Sequence, residues 1–146
     1  MDDRIREFMQ AKRLAIVGVS HSEQKMGTGI YKELKERGIE VYGVNPRLDL
    51  IQGDKCYPAI KELTGKVDGV IICVPPKMAV QVLREAVEAG MTKIWIQQGA
   101  QSAETARVAR ELAVSPVEGK CILMYAGEVK SIHAFHRFFA KLFGSY

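Results

Sequence analysis

The sequence predicts an α/β fold of three layers, a doubly wound parallel sheet of about five strands with helices on both faces. Three observations predict it. Short β-rich apolar runs alternate with amphipathic helical stretches along most of the chain. The run Gly69-Val70-Ile71-Ile72-Cys73-Val74 is apolar at nearly every position, as a strand covered on both faces is. The intervals between strands are long enough for a crossover helix, so the strands run parallel with right-handed connections.

The elements follow in order. Residues 2–10 place Ile5, Phe8 and Met9 at helical spacing, a short lead-in helix. Leu14-Ala15-Ile16-Val17 is a buried strand that ends at Gly18. After a loop over 19–27 comes a helix carrying Ile30 and Leu34, stopped at Gly38. Glu40-Val41-Tyr42-Gly43-Val44 is the second strand, closed by Asn45-Pro46. A variable segment, 47–54, leads to a scrap of extended chain at 55–57 and a short helix over 59–63. The third strand, 69–74, meets Pro75-Pro76, and a helix over 77–89 carries Val80, Leu83 and Val87 on one face. Residues 92–96 read as a fourth strand, 103–112 as a helix and 120–124 as a fifth strand. The tail over 129–143 reads as a helix with Ile132, Phe135 and Phe139 largely inward. The second strand belongs beside the first on one side, with the third, fourth and fifth on the other. Ligands of such sheets sit outside the carboxyl ends of the strands, where the winding reverses. The loops expected there are 18–29 and 74–77.

Length and composition narrow the function. A chain of 146 residues, 47% hydrophobic and 26% charged, is read as one domain over 1–146 and buries about two-thirds of its unfolded surface. The three cysteines, Cys56, Cys73 and Cys121, are an odd set with no CxxC pair, which points away from a disulfide framework and toward a reducing, cytoplasmic setting. Acids stand at the N-terminus where a signal peptide carries bases, and no apolar run is long enough for a bilayer, so no membrane role is expected. The net charge of +4 includes four bases after residue 119 against Glu128 alone. They are neither clustered nor interleaved with aromatics, so a solvated face is expected and no nucleic acid.

The first loop leaves a strand and opens a helix. Gly18 and Gly27 let backbone approach a ligand, Ser20 can donate to a phosphate oxygen, and Lys25 adds a point charge. It is a phosphate cradle in outline, without the full G-x-G-x-x-G pattern and without a P-loop ending. At the second strand's end, where an NAD site usually carries an acid, stand Asn45-Pro46-Arg47. Asn45 hydrogen-bonds a ribose or simply terminates the strand. Arg47 can meet an extra ribose phosphate, which favours CoA or NADP over NAD. Cys73-Val74-Pro75-Pro76 removes two N–H donors and offers a rigid apolar wall, while also starting a helix. Trp95-Ile96-Gln97-Gln98-Gly99 ends the fourth strand, with Gln97 and Gly99 placed to line the far end of the crevice.

Ile16-Val17-Gly18-Val19-Ser20, Val44-Asn45-Pro46, Val74-Pro75-Pro76 and Trp95-Ile96-Gln97-Gln98-Gly99 together resemble the CoA-binding domain family, over about residues 12–121. Its members include the Rossmann-like N-terminal domain of the succinyl-CoA synthetase alpha subunit and small stand-alone proteins. The resemblance implies that Gly18, Val19, Ser20 and Lys25 meet phosphate. Pro46 and Arg47 then lie near the ribose phosphate, with residues 73–76 along the nucleotide. Arg47 stands where relatives often carry Lys, which keeps the charge. The synthetase's phosphohistidine belongs to a second domain that a chain of this length does not hold.

Other chemistries have weaker support. Gly18-Val19-Ser20-His21-Ser22 misses the last glycine of a hydrolase elbow. His133, His136 and Cys121 offer too few ligands at metal spacing and read better as helix packing, so no metal is expected. Cys73 and Cys121 read as core residues; a mixed disulfide with a CoA thiol needs an exposed, low-pKa thiolate. The expected function is binding of coenzyme A or acyl-CoA, without catalysis by this chain itself. The alternatives are an NADP-linked reductase or redox sensor, and a detached acyl-CoA synthetase subunit that works with a partner chain. Whether a partner protein or a second copy of the chain joins it is left open.

Overall fold

The computed structural model describes residues 2–126. In chain order the elements are α1 (Asp3–Phe8), β1 (Arg13–Val17), α2 (Met26–Glu36), β2 (Glu40–Val44), β3 (Leu50–Ile51), β4 (Asp54–Tyr57), β5 (Gly69–Ile72), α3 (Pro76–Glu88), β6 (Lys93–Gln97), α4 (Ala103–Glu111) and β7 (Val117–Lys120), with 3-10 turns at Ile60–Leu63 and Ile122–Met124. The sheet order is β3-β4-β2-β1-β5-β6-β7, parallel except for the antiparallel β3. The winding reverses at β1, as the sequence predicts.

Each central strand divides its side chains between two cores. Leu14 and Ile16 of β1, Ile71 of β5 and Trp95 of β6 face α1, α2 and the turn at Ile122–Met124. Ala15, Val17, Val70, Ile72, Ile94 and Ile96 face α3, α4 and the turn at Ile60–Leu63. This two-sided burial explains why β5 is apolar at every position after Gly69. Trp95 is fully buried and meets the Phe8 ring edge-on at 5.2 Å.

Two expectations need correction. The sheet has seven strands, because β3 and β4 form a hairpin that extends it beyond β2. Its two-residue loop, Gln52-Gly53, has φ of 50° and 83°, the left-handed pair of a type I′ turn. Glutamine is an unusual first residue for that turn, so the hairpin is weakly marked in sequence. The last strand is Val117–Lys120, ahead of the apolar run expected to form it over 120–124. An edge strand does not need apolar residues throughout, and this one is largely polar. Ile122 and Leu123 are instead buried in a 3-10 turn. The tail helix expected over 129–143 lies outside the described residues. Among the described residues, no helix is long and apolar enough to cross a membrane.

Arg37 pins that last turn. Its side chain is 5% exposed, and the guanidinium donates to the carbonyls of Leu123 at 3.0 Å and Ala126 at 2.6 Å, and to the Glu33 carboxylate at 3.0 Å. Arg37→Met keeps the apolar stem and strands two carbonyls and a carboxylate. It should lower unfolding free energy by about 1.5–3 kcal/mol, read by urea denaturation, whereas the change of the exposed Lys61 to Met should be near neutral.

Candidate functional site

The crevice is built where two backbone segments touch. Gly18 leaves β1 with φ +116°, and a Cβ there would lie 2.0 Å from the carbonyl oxygen of Cys73. Gly27, in the first turn of α2, would place a Cβ 2.4 Å from the Gly18 carbonyl oxygen. Only glycine at both positions lets the β1–α2 loop, the α2 start and the β5–α3 loop stack this closely.

Buried polar groups then fix the first loop. Thr28 is fully buried. Its hydroxyl accepts from the Ser20 N–H at 2.8 Å and donates to the Ser20 carbonyl at 3.0 Å. Asn45 closes the loop from the other side: its Nδ2 donates to the Val19 carbonyl at 2.7 Å, and its Oδ1 accepts from the Arg47 N–H at 2.8 Å. The Ser20 hydroxyl accepts from the Ser22 N–H at 3.0 Å and stays on the exposed side of the loop.

These segments enclose a cleft of about 900 Å³ at the carboxyl edge of the sheet, within the size range of small-molecule sites. It spans the switch point between β2 and β5. Three exposed cations, Lys25, Arg47 and Lys77, line it together with one carboxylate, Glu85. Two helices start at its rim. Lys25 holds the N-cap position of α2 and Pro75 that of α3, and neither supplies a side-chain cap. By contrast α4 begins with a complete Ser102–Thr105 capping box. The first-turn N–H groups of α2 and the positive ends of both helix dipoles are thereby left to an anion.

Of the residues singled out in sequence, Gly18, Val19, Ser20, Lys25, Gly27, Asn45, Pro46, Arg47, Cys73, Val74 and Pro75 all line this cleft. Pro76 does not; it is the first residue of α3, where a missing N–H costs nothing. Gln97 and Gly99 lie elsewhere. The Gln97 side chain points with Trp95 into the core, where its Oε1 accepts from the Ile122 N–H at 3.1 Å. The Gly99 N–H donates to Gln101 at 2.8 Å in the turn beyond β6. Asn45, left open between ribose contact and strand terminator, spends its carbonyl and one amide hydrogen on the loops. Lys77 and Thr28 lie within the loops expected at the crevice, 74–77 and 18–29, though the sequence reading gives neither a role; the segment over 58–60 and the α3 stripe of Met78, Gln81, Val82 and Glu85 were missed. The stripe has a legible i, i+3, i+4, i+7 spacing; Thr28 carries no local signal.

Burial pushes the thiols of Cys73 and Cys121 up, away from thiolate formation. With both residues 4% exposed, neither meets the condition for a mixed disulfide. Among the described residues, no group of His, Cys, Asp or Glu is arranged to hold a metal ion; His133 and His136 fall outside them.

Thr28→Val is isosteric but leaves the Ser20 N–H and carbonyl unpaired. It should cost about 1–3 kcal/mol in stability and weaken any anionic ligand of this loop. Thr28→Ser should restore both, measured by thermal unfolding and ligand titration side by side.

Comparison with known proteins shows the family and the fold. The model of the CoA binding domain family matches residues 12–126. The alpha subunit of an ADP-forming acetate–CoA ligase II of Pyrococcus furiosus is 40% identical over 90 residues, 61% of this chain and 20% of that protein. A conserved hypothetical protein from Pyrococcus furiosus superposes with a TM-score of 0.74 at 43% identity, over 77% of this chain and 97% of its own. The dinucleotide-forming acetyl-coenzyme A synthetase 1 of Ca. Korarchaeum cryptofilum, in complex with phosphate and ADP, superposes with a TM-score of 0.66 at 28% identity, over 80% of this chain and 27% of its own. The chain thus spans about a fifth of the length of the curated ligase it matches. With the family model covering the sheet and both loops of the cleft, the chain belongs to the CoA binding domain family.

Proposed function

We propose that this chain binds coenzyme A, free or acylated, in the cleft at the carboxyl edge of the sheet and does not itself transform it. The observation that carries the reading is the convergence of two uncapped helix starts and three cations on one cleft, in a chain of this family. A diphosphate suits the α2 start, where backbone N–H groups, Lys25 and the Ser20 hydroxyl surround a glycine-lined approach. Arg47, held at the rim by the Asn45 turn, suits the ribose phosphate that distinguishes CoA from its dephospho form. Val74 and Pro75 supply an apolar wall with no N–H at the proline. Cys73 stays a protonated wall residue, so the cofactor's thiol has no protein thiolate to react with.

A second reading draws on the ligase relatives: the chain serves as the CoA-holding part of an acyl-CoA synthetase, with a partner chain bringing the phosphoryl chemistry. Co-purification with an ATP-grasp protein supports it, and a chain that binds CoA while remaining alone in its native extract overturns it.

Isothermal titration with CoA, dephospho-CoA, NADP and NAD tests the first reading. CoA should bind, and dephospho-CoA should bind about tenfold more weakly or worse, the worth of one charge-assisted contact. Arg47→Ala should erase that difference without unfolding the protein. Preference for NADP, or indifference of CoA binding to the 3′-phosphate, overturns the assignment.

A further inference from the structure

Another cavity, of about 460 Å³, lies toward the amino ends of two strands whose carboxyl ends lead into the cleft, and the two share no lining residue. It forms where β2 and β4 part. Successive residues of a strand turn their backbone N–H and C=O to opposite neighbours. The Val44 carbonyl accepts from the Gly18 N–H at 3.3 Å, on the β1 side, and the Asn45 N–H donates to the Tyr57 carbonyl of β4 at 2.9 Å. Val41, in step with Gly43 and Asn45, therefore turns its N–H and C=O toward β4. In β4 the Cys56 N–H donates to Asp49 beside β3 at 2.9 Å, so the Lys55 N–H faces β2. The ladder between β2 and β4 nevertheless holds only the pairs Gly43–Cys56 and Val44–Tyr57. The next rung, Lys55 N–H to Val41 C=O, is not made. Both residues line the cavity, so it is edged by backbone groups that have no strand partner among the described residues.

The charged side chains around it are balanced. Two cations, Lys35 and Lys55, and two carboxylates, Glu40 and Asp54, line it, whereas the cleft has three cations to one carboxylate. One oxygen of Asp54 accepts from the Tyr31 hydroxyl at 2.6 Å and from the Lys35 ammonium. One oxygen of Glu40 accepts from the Tyr42 hydroxyl at 2.6 Å. The second oxygen of each carboxylate has no hydrogen bond among the described residues. The Lys55 ammonium lies 4.9 Å from the centre of the Tyr57 ring and has no carboxylate partner among them. That balance does not suit a polyanion; it suits a zwitterion. We propose that this cavity binds an extended dipeptide, at a site separate from the cleft and independent of what the cleft holds. The C-terminal residue pairs with Val41 as a neighbouring strand would. Its amide N–H donates to the Val41 C=O, and its carboxylate accepts from the Val41 N–H and the Lys55 ammonium. The ammonium of the preceding residue finds its acceptors in the second oxygens of Asp54 and Glu40. The rings of Tyr42 and Tyr57, which also line the cavity, offer apolar surface to the peptide's side chains.

The test is an NMR titration of the isotope-labelled full chain with L-alanyl-L-phenylalanine. The Val41 and Lys55 amide signals should shift saturably, while those of Gly18 and Gly27 in the cleft stay in place. Methylating the peptide nitrogen of the probe removes the donor to Val41 and should weaken binding about tenfold. Lys55→Gln should weaken the parent dipeptide about threefold to fivefold, the scale of one exposed charge pair, and leave binding of its C-terminal amide unchanged. Lys55 is exposed, so its replacement keeps the fold, which the rest of the spectrum verifies. The assignment fails if neither amide shifts at millimolar dipeptide, water alone then meeting the unmade rung, or if the cleft signals shift instead. It fails equally if the N-methylated peptide binds as well as the parent, or if Lys55→Gln weakens the parent and its amide alike. Free phenylalanine binding as tightly as the dipeptide overturns it in favour of a single amino acid.

Discussion

The absence of two side chains holds the site together. At Gly18 and Gly27 three backbone segments come within contact distance: the end of β1, the start of α2 and the turn after β5. A methyl group at either position would occupy the space of a carbonyl oxygen. Because nothing separates them, α2 begins directly over the end of β1, and the β5–α3 loop leans against the same turn. Two helix starts and the ends of three parallel strands, β2, β1 and β5, are thereby brought around a single crevice. The electrostatics of the site follow from that packing, since the positive end of a helix acts only within about its first turn.

Around this contact the protein separates hydrogen-bonded groups from exposed charged ones. Thr28 is spent on shaping the loop, and so are the Oδ1 and one Nδ2 hydrogen of Asn45, which together tie Ser20, Val19 and Arg47 backbone atoms in place. Lys25, Arg47 and Lys77 are exposed, and exposed cations gain little from any one static partner in water. In the proposed CoA site their part is to attract an anion, and that of the first-turn N–H groups of α2 is to give it a place. The contrast with α4 is instructive: away from the cleft, Ser102 and Thr105 satisfy the helix start within the chain itself.

Most of the architecture was legible in sequence because it depends on local pattern. Strand and helix positions, the winding order and the switch point follow from apolar runs, crossover lengths and the stops at Gly18, Gly38 and Pro75. The small hairpin of β3 and β4 escaped because Gln52-Gly53 is an atypical turn pair and the strands it joins are short. The strand at 117–120 escaped for a different reason: its polar residues tolerate an edge position, while the apolar Ile122 and Leu123 that looked like a strand are buried as a turn.

What the sequence by itself determined is where backbone can bend and approach: glycines at 18 and 27, prolines at 75 and 76, and cations near the ends of strands. Their conformational consequences are properties of each residue and its neighbours. Which polar side chains face the cleft was decided only by the tertiary structure. Asn45 reaches Val19 across 26 positions of sequence, and Gln97 turns inward to Ile122 across 25. Either amide could have faced a ligand by composition alone. The choice rests on sheet register and on which of the two cores each β6 side chain enters, because a hydrogen bond needs its partners within about 3 Å and only the folded sheet sets distances between segments so far apart in the chain.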